Sequence, residues 1–76
     1  LPDAPVNDVL AKGKAVYVAT DVGVFVSKNG GRRWLQVGRG LPLAPVTDML
    51  FHKKTGKLFV ATFGRGMFSV KLPKGF

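Results

Sequence analysis

The side chains best suited to acid–base or metal chemistry are few and widely spaced in this sequence. The only acids are Asp3, Asp8, Asp21 and Asp48, glutamate is absent, and His52 is the single histidine. Paired carboxylates could supply a general acid and a general base, but equivalent places in two similar segments also fit hydrogen bonding at a turn or where a strand begins, for Asp8 and Asp48. A lone histidine without cysteine or glutamate nearby predicts a turn residue rather than a metal ligand.

The hydroxyl groups give no better support for catalysis. Tyr17 falls in the middle of an apolar segment, where we expect it to pack. Ser27 belongs to a turn and Ser69 to a strand, and one histidine would have to serve either of them as a base. We therefore predict no catalytic residue, no metal ligand and no cofactor, and expect the chain not to be an enzyme.

Arginines flanked by glycine are the better candidates for a binding site. In the triplets Gly38-Arg39-Gly40 and Gly64-Arg65-Gly66, glycine lets the backbone approach a ligand while arginine offers a planar set of donors. The competing interpretation is that the glycines only permit tight turns. The candidate ligand-binding residues are Asp21, Arg32, Arg33, Arg39 and Arg65. Asp21 is included because the second segment has Phe63 in its place, so the fold does not require it.

The net charge of +8 and a pI near 10.5 raise a question about partners. A basic surface attracts acidic glycans, nucleic acid and anionic membranes. The same charge also fits a merely solvated face, to which the loop with Lys53, Lys54 and Lys57 would belong. The sequence leaves both interpretations open.

Length and composition limit the elements that could position these residues. The chain has 76 residues, no cysteine and 46% apolar residues, which indicates one small folded module without disulfides. No apolar run approaches the ~20 residues of a membrane span, and we expect no signal peptide, so the compartment stays open. Ten glycines, five prolines and no glutamate favour strands over helices. We predict an all-β protein.

An internal repeat defines the organisation of the chain. LPDAPVNDVL at 1–10 recurs as LPLAPVTDML at 41–50, and VYVAT at 16–20 recurs as LFVAT at 58–62. A period of about 40 residues filled with short apolar strands is typical of a four-stranded propeller blade. We therefore divide the chain into two blades, 1–40 and 41–76.

Each unit can be read as a series of strands. In the first unit we predict strands at Val6–Ala11, Ala15–Thr20, Val22–Lys28 and Arg33–Val37, and in the second at Val46–His52, Leu58–Phe63 and Met67–Leu72. The second strand of each unit is almost wholly apolar, which predicts burial of both its faces. Seven strands are visible where two blades need eight, so we expect the last blade to keep an open edge guarded by Lys71 and Lys74.

A motif in the third turn of the first unit carries a family resemblance. The segment SKNGGRRW at 27–34 resembles the Asp-box of BNR repeats, Ser-x-Asp-x-Gly-x-x-Trp, through Ser27, Asn29, Gly31 and Trp34. Asn29 stands where the family has aspartate, but its carbonyl can still accept hydrogen bonds inside the turn. Trp34 is expected to pack over the hairpin, with sugar stacking as the alternative.

The resemblance extends to most of the chain. YVATDVGVFVSKNGGRRW, GRGLP, VTDM and FVATFGRGMFSV resemble the closing blades of sortilin-type and xyloglucanase-type BNR propellers. In that family the Asp-box is a structural hairpin, and the fold hosts glycosidases, receptors and assembly factors. Propellers close with about 4–8 blades, so two blades with exposed flanks could complete a ring as a dimer, trimer or tetramer. We expect homo-oligomerisation, with a trimer favoured and a tetramer next, and a role as a scaffold or ligand-binding platform. The alternatives are a glycan- or nucleic-acid-binding module, or the terminal fragment of a larger BNR glycosidase or receptor.

Overall fold

The part of the chain that the structure describes forms seven β-strands. The computed structural model describes residues 3–38 and 44–72. The strands are β1 (Val6–Lys12), β2 (Ala15–Thr20), β3 (Gly23–Ser27), β4 (Leu35–Val37), β5 (Val46–His52), β6 (Lys57–Thr62) and β7 (Gly66–Lys71). The all-β class and the seven strands predicted from the sequence are confirmed. The described residues contain no helix, and hence none with the length and hydropathy needed to cross a membrane.

The strands form two antiparallel sheets in which each strand pairs with its neighbour in the chain. The first sheet has the order β1-β2-β3-β4 and the second the order β5-β6-β7. Tight turns join β1 to β2 and β5 to β6, with positive φ at Gly13 and Gly56. Within the described residues, β7 pairs on one side only, so it is an edge strand.

In the first sheet the ends of β1 and β3 differ by one residue from the prediction, and the starts of β3 and β4 differ because a side chain accepts a hydrogen bond from a backbone N–H group. Val22 was expected to begin β3, but its N–H donates to Thr20 Oγ1 at 3.1 Å, which keeps it in the turn. Arg33 was expected to begin β4, but its N–H donates to Asn29 Oδ1 at 2.9 Å. The ladder of β4 therefore starts only at Leu35.

In the second sheet β5 has its predicted limits, whereas β6 and β7 are each shifted by one residue towards the N-terminus. The strand predicted to end at Phe63 ends at Thr62, and the one predicted to end at Leu72 ends at Lys71. Phe63 leaves the ladder because its N–H donates to the carbonyl of Pro45 at 2.9 Å. Leu72 likewise donates to the carbonyl of Gly56 at 3.0 Å, just beyond the strand.

Both sheets carry the same irregularity near the start of their first strand. The pairing register shifts between Val6 and Asp8 in β1, and between Val46 and Asp48 in β5. The extra residues at these bulges are Asn7 and Thr47. A bulge bends the strand and increases its twist, so the two repeat units match in backbone geometry at this point.

The core lies between the two sheets. Alternate residues of β2 and β3 face it from the first sheet, and alternate residues of β6 from the second, as strand geometry requires. Its buried members are Ala15, Tyr17, Ala19, Val24, Val26, Val37, Val46, Leu58 and Val60. We call these two packed surfaces the inner faces. The opposite surfaces of the sheets are called the outer faces.

β1 and β5 lie side by side and run in the same direction. At their starts Asn7 Nδ2 donates to the carbonyl of Val46 at 3.0 Å, and at their ends Lys12 Nζ lies 4.8 Å from the ring centroid of Phe51. Strands joined at both start and end must be parallel. The turns that follow β1 and β5 therefore lie on the same side of the molecule.

Candidate functional site

The turn between β3 and β4 is closed by a small hydrogen-bond network. Ser27 Oγ accepts the Gly31 N–H at 2.8 Å and donates to Asn29 Oδ1 at 3.1 Å. Asn29 Oδ1 also accepts the Arg33 N–H at 2.9 Å. The amide oxygen of Asn29 thus accepts two hydrogen bonds inside the turn, and it does so without a negative charge.

Gly31 and Trp34 complete this turn. Gly31 has a φ of 91°, a region that glycine adopts without strain. A Cβ at Gly31 would lie 3.9 Å from Trp34 Cζ2, so the half-buried indole lies over the hairpin. Trp34 packs against its own turn in this arrangement.

A shallow cleft lies beside the same turn. It is lined by Val26, Lys28, Asn29, Arg33 and Leu35, and its volume is about 80 Å³. Sites for small organic ligands usually enclose about 300–1,000 Å³. The cleft is too small to surround a sugar or a nucleotide, and it can offer only surface contacts from its two cations.

Asp8 joins the two sheets, a role that sequence reasoning missed. Its Oδ2 accepts the backbone N–H of Met49 in β5 at 2.9 Å, and its Oδ1 accepts the N–H of Val9 at 2.9 Å. Sequence repetition suggested only a local role for this carboxylate. The missing information was that β1 and β5 are neighbours, which no pattern within one unit reveals. Asp48, its repeat equivalent, is exposed and has no hydrogen-bond partner among the described residues.

Asp21, a candidate ligand-binding residue, is held by a neighbour in the same sheet. Asn7 Nδ2 donates to its Oδ1 at 2.8 Å, while the same amide group also reaches the carbonyl of Val46. Asp21 therefore ties the β2–β3 turn to the bulge of β1. The second repeat has Thr47 and Phe63 at these two positions, so it lacks both members of the pair.

His52 and Tyr17, two of the side chains considered for catalysis, make local contacts or are buried. His52 Nδ1 lies 2.9 Å from Thr55 Oγ1 in the β5–β6 turn, and its ring packs edge-on against Phe59. Tyr17 is fully buried, and burial raises the pKa of its phenol above the ordinary value of 10.0. No cluster of three metal-ligating side chains occurs within residues 3–38 and 44–72.

The candidate arginines lie at opposite ends of the molecule. Arg32 and Arg33 belong to the β3–β4 turn, whereas Arg65 belongs to the β6–β7 turn. In an up-and-down sheet successive turns alternate between the two ends, so these two turns do not share a surface. Arg39 lies outside the described residues. The arginines therefore do not form one cluster.

The charges of the described residues are strongly segregated between the two ends. We call the end formed by the β1–β2, β3–β4 and β5–β6 turns and the end of β7 the basic end. It carries Lys12, Lys14, Lys28, Arg32, Arg33, Lys53, Lys54, Lys57 and Lys71. All four aspartates lie towards the other end, before or early in β1 and β5 or in the β2–β3 turn.

The outer faces of both sheets expose large apolar side chains. Val9 of β1 is 59% exposed, Leu50 of β5 is 64% exposed and Met67 of β7 is 70% exposed. β2 is nearly buried on both faces, as its sequence predicts, but Phe59 and Ala61 of β6 are only half-buried. The outer faces thus carry four of the exposed large apolar side chains of the described residues, which are Val6, Val9, Leu50 and Met67.

Comparison with protein-family models, with curated proteins and with solved structures finds no match to this chain.

Proposed function

We propose that this chain is a non-catalytic β-propeller module that assembles with copies of itself, head to tail, into a closed ring that serves as a scaffold or binding platform. A trimer would give six blades and a tetramer eight, both within the usual range for propellers. We favour the trimer. One observation carries the proposal. In the alignment of the two repeats, the residues on the outer face of each sheet correspond to residues on the inner face of the other sheet.

The outer face of the second sheet matches the inner face of the first. Leu50 corresponds to Leu10, Phe59 to Tyr17 and Met67 to Val24 in the aligned repeats. Tyr17 and Val24 are fully buried between the sheets, whereas Met67 is 70% exposed. The second sheet thus presents outward the kind of surface that the first sheet uses for packing.

The outer face of the first sheet completes the relation. Val6 corresponds to Val46, and Val9 to Met49. Val46 is 2% exposed and Met49 is half-buried against the core, whereas Val6 and Val9 are both exposed. Within one chain the second sheet packs on the first. If the first sheet of a second copy packed in the same way on the second sheet of this copy, the contact would bury one outer face of each copy. Burial of a large apolar side chain stabilises by about 1.5–3 kcal/mol.

Hydrogen bonding supports the same geometry. Inside one chain Asp8 accepts the Met49 N–H, and the equivalent groups at the outer faces are the Asp48 carboxylate and the Val9 N–H. In the ring, Asp48 of one copy would accept the Val9 N–H of the next. The Val9 N–H is now bonded to its own Asp8 Oδ1, which would keep its bond to Met49 through Oδ2.

The non-catalytic part of the proposal rests on how the acids are used. Both oxygens of Asp8 accept backbone N–H groups and Asp21 is bonded to Asn7, so these carboxylates act as structural ties. The cleft beside the Asp-box turn is too small to enclose a substrate. The turn itself serves as a structural hairpin on the periphery of the blade.

The test is the mass of the native complex. Light scattering and native mass spectrometry at micromolar concentration should give three times the 8.2 kDa chain mass. Leu50→Lys should dissociate the ring, because it places a charge in the outer face of the second sheet. Leu35→Lys is the matched control: Leu35 is 43% exposed but lies on the outermost strand of the first sheet, away from both outer faces.

Two results would overturn the proposal. A wild-type chain with the mass of a monomer and a cooperative melt would show that the outer faces do not need a second copy. An oligomer that survives Leu50→Lys but not Leu35→Lys would show that the copies meet through another surface.

A further inference from the structure

The basic end contains an unusual concentration of charge for so small a surface. All described lysines lie there together with Arg32 and Arg33, while the four aspartates lie elsewhere. Arg65 is the only described cation in the turns of the opposite end. The parallel arrangement of β1 and β5 brings the cations of both sheets to one side, since the turns after these strands lie together.

Such segregation is more than solubility requires. Charge that serves only to solubilise can be spread over the whole surface and mixed with carboxylates, which lowers the repulsion between like charges. Here three turns and a strand end, contributed by both repeat units, each bring cations to the same end. Repulsion within this group opposes folding, and a bound polyanion would relieve it.

We infer that the basic end binds an acidic polysaccharide, a chain that carries sulfate groups at intervals along its length. This inference is independent of the ring, because the basic end is complete within one copy.

The surface chemistry of the basic end favours a glycan over other polyanions. Leu35 is the one large apolar side chain there that is exposed among the described residues, so the surface lacks the set of apolar side chains that would insert into a membrane. Trp34 is half-buried against its own turn, so it offers no free platform for stacking single-stranded bases. What remains is a broad array dominated by lysine ammonium groups, which act as mobile point charges.

The geometry also fits an extended ligand better than a compact one. The cations are distributed over turns from both sheets of a molecule that measures 31 Å in its long dimensions. The cleft between Lys28 and Arg33 holds only about 80 Å³. A long chain that touches several turns in succession satisfies this arrangement, whereas a single small anion would meet only a few of the charges.

The experiment measures binding of a heparin-derived oligosaccharide to the full chain by calorimetry at about 150 mM salt, where the Debye length is about 8 Å. The double variant Lys14→Ala/Lys54→Ala removes one exposed cation from a turn of each unit at the basic end. We expect it to weaken binding at least tenfold and to reduce the salt dependence of the affinity. Arg65→Ala, an exposed cation of the opposite end, is the matched control and should change affinity less than twofold.

Three outcomes would overturn the inference. One is the absence of binding at 150 mM salt, and another is an equal loss of affinity in Arg65→Ala and the lysine variant, which would show diffuse attraction. The third is equal or tighter binding of duplex DNA or of phosphatidylserine vesicles under the same conditions. Thermal melts of both variants accompany the titrations. If a variant fails to fold, glutamine replaces alanine at the same positions, as Lys14→Gln/Lys54→Gln or Arg65→Gln.

Discussion

Tyr17 is a buried polar group whose hydroxyl has no hydrogen-bond partner among the described residues. A buried hydroxyl without a partner costs about 1–3 kcal/mol, and the repeat equivalent of this residue is Phe59. We expect Tyr17→Phe to raise the free energy of unfolding by about 1 kcal/mol at pH 7, measured by urea denaturation. A less stable variant would show that the hydroxyl has a partner.

The same substitution has a predicted pH signature. Burial raises the pKa of Tyr17 in the folded state above 10.0, so the unfolded chain loses its phenolic proton at lower pH than the folded chain does. As far as this phenol is concerned, the wild type therefore keeps its full stability below pH 10, and its free energy of unfolding falls as pH rises from 10 through the pKa of the folded state. The stability gain from Tyr17→Phe should therefore grow above pH 10, and a constant difference between the two proteins would contradict this.

The β3–β4 turn offers a second test at the level of single residues. Asn29→Asp keeps the acceptor for Ser27 and Arg33 and strengthens it with a charge, so we expect a neutral or mildly stabilising effect. Gly31→Val forces a β-branched residue to a φ of 91° and should cost about 1–3 kcal/mol. Thermal melts of the two variants measure both effects. An unchanged melt for Gly31→Val would mean that the turn adopts another backbone conformation.

At the level of elements, β7 is an edge strand of the second sheet. It pairs with β6 along its length, and its other edge has no ladder partner within the described residues. Lys71 lies at the end of this edge, as predicted for a guarded strand, while Lys74 lies outside the described residues. Alternate amides of Gly66–Lys71 should be protected from hydrogen exchange and the others should exchange fast. Uniform protection, measured by NMR, would show that another strand pairs there.

The sequence predicted the strands well and their connections across the sheets poorly. Apolar alternation and the repeat located all seven strands to within one or two residues. Four of the boundary errors fall where a side chain or a distant carbonyl accepts a hydrogen bond from a backbone N–H, as Asn29 does for Arg33 and Pro45 for Phe63.

In the candidate site, too, contacts close in the chain could be predicted and distant ones could not. The local network of Ser27, Asn29 and Gly31 could be reasoned from the motif because all its partners lie within a few residues. The bond from Met49 to Asp8 spans 41 positions and depends on how two sheets dock, which no local pattern contains. The segregation of charge could have been found from the sequence by assigning each cation to a turn and each turn to an end.

At the level of the whole molecule, the exposed outer faces link stability to concentration. Because assembly buries surface that the free chain exposes, the folded state gains stability from binding to its own copies. We expect the melting temperature of the wild type to rise with protein concentration between about 1 and 100 μM. The melting temperature of Leu50→Lys should stay constant over the same range, and calorimetric scans of both proteins make the comparison. A wild-type melting temperature independent of concentration would argue against self-association.

The meander order of the two sheets has a consequence for how the chain folds. Because every strand pairs with its sequence neighbour, each sheet can form from contacts that are close in the chain, which shortens the search and speeds folding. The docking of the sheets comes from distant pairs such as Asp8 with Met49, and it closes a much longer loop. Trp34 lies in the β3–β4 turn and packs against it, so its fluorescence should follow closure of this hairpin rather than docking. Refolding traces from this single indole would therefore report an early event, and the later one would need a probe at Met49.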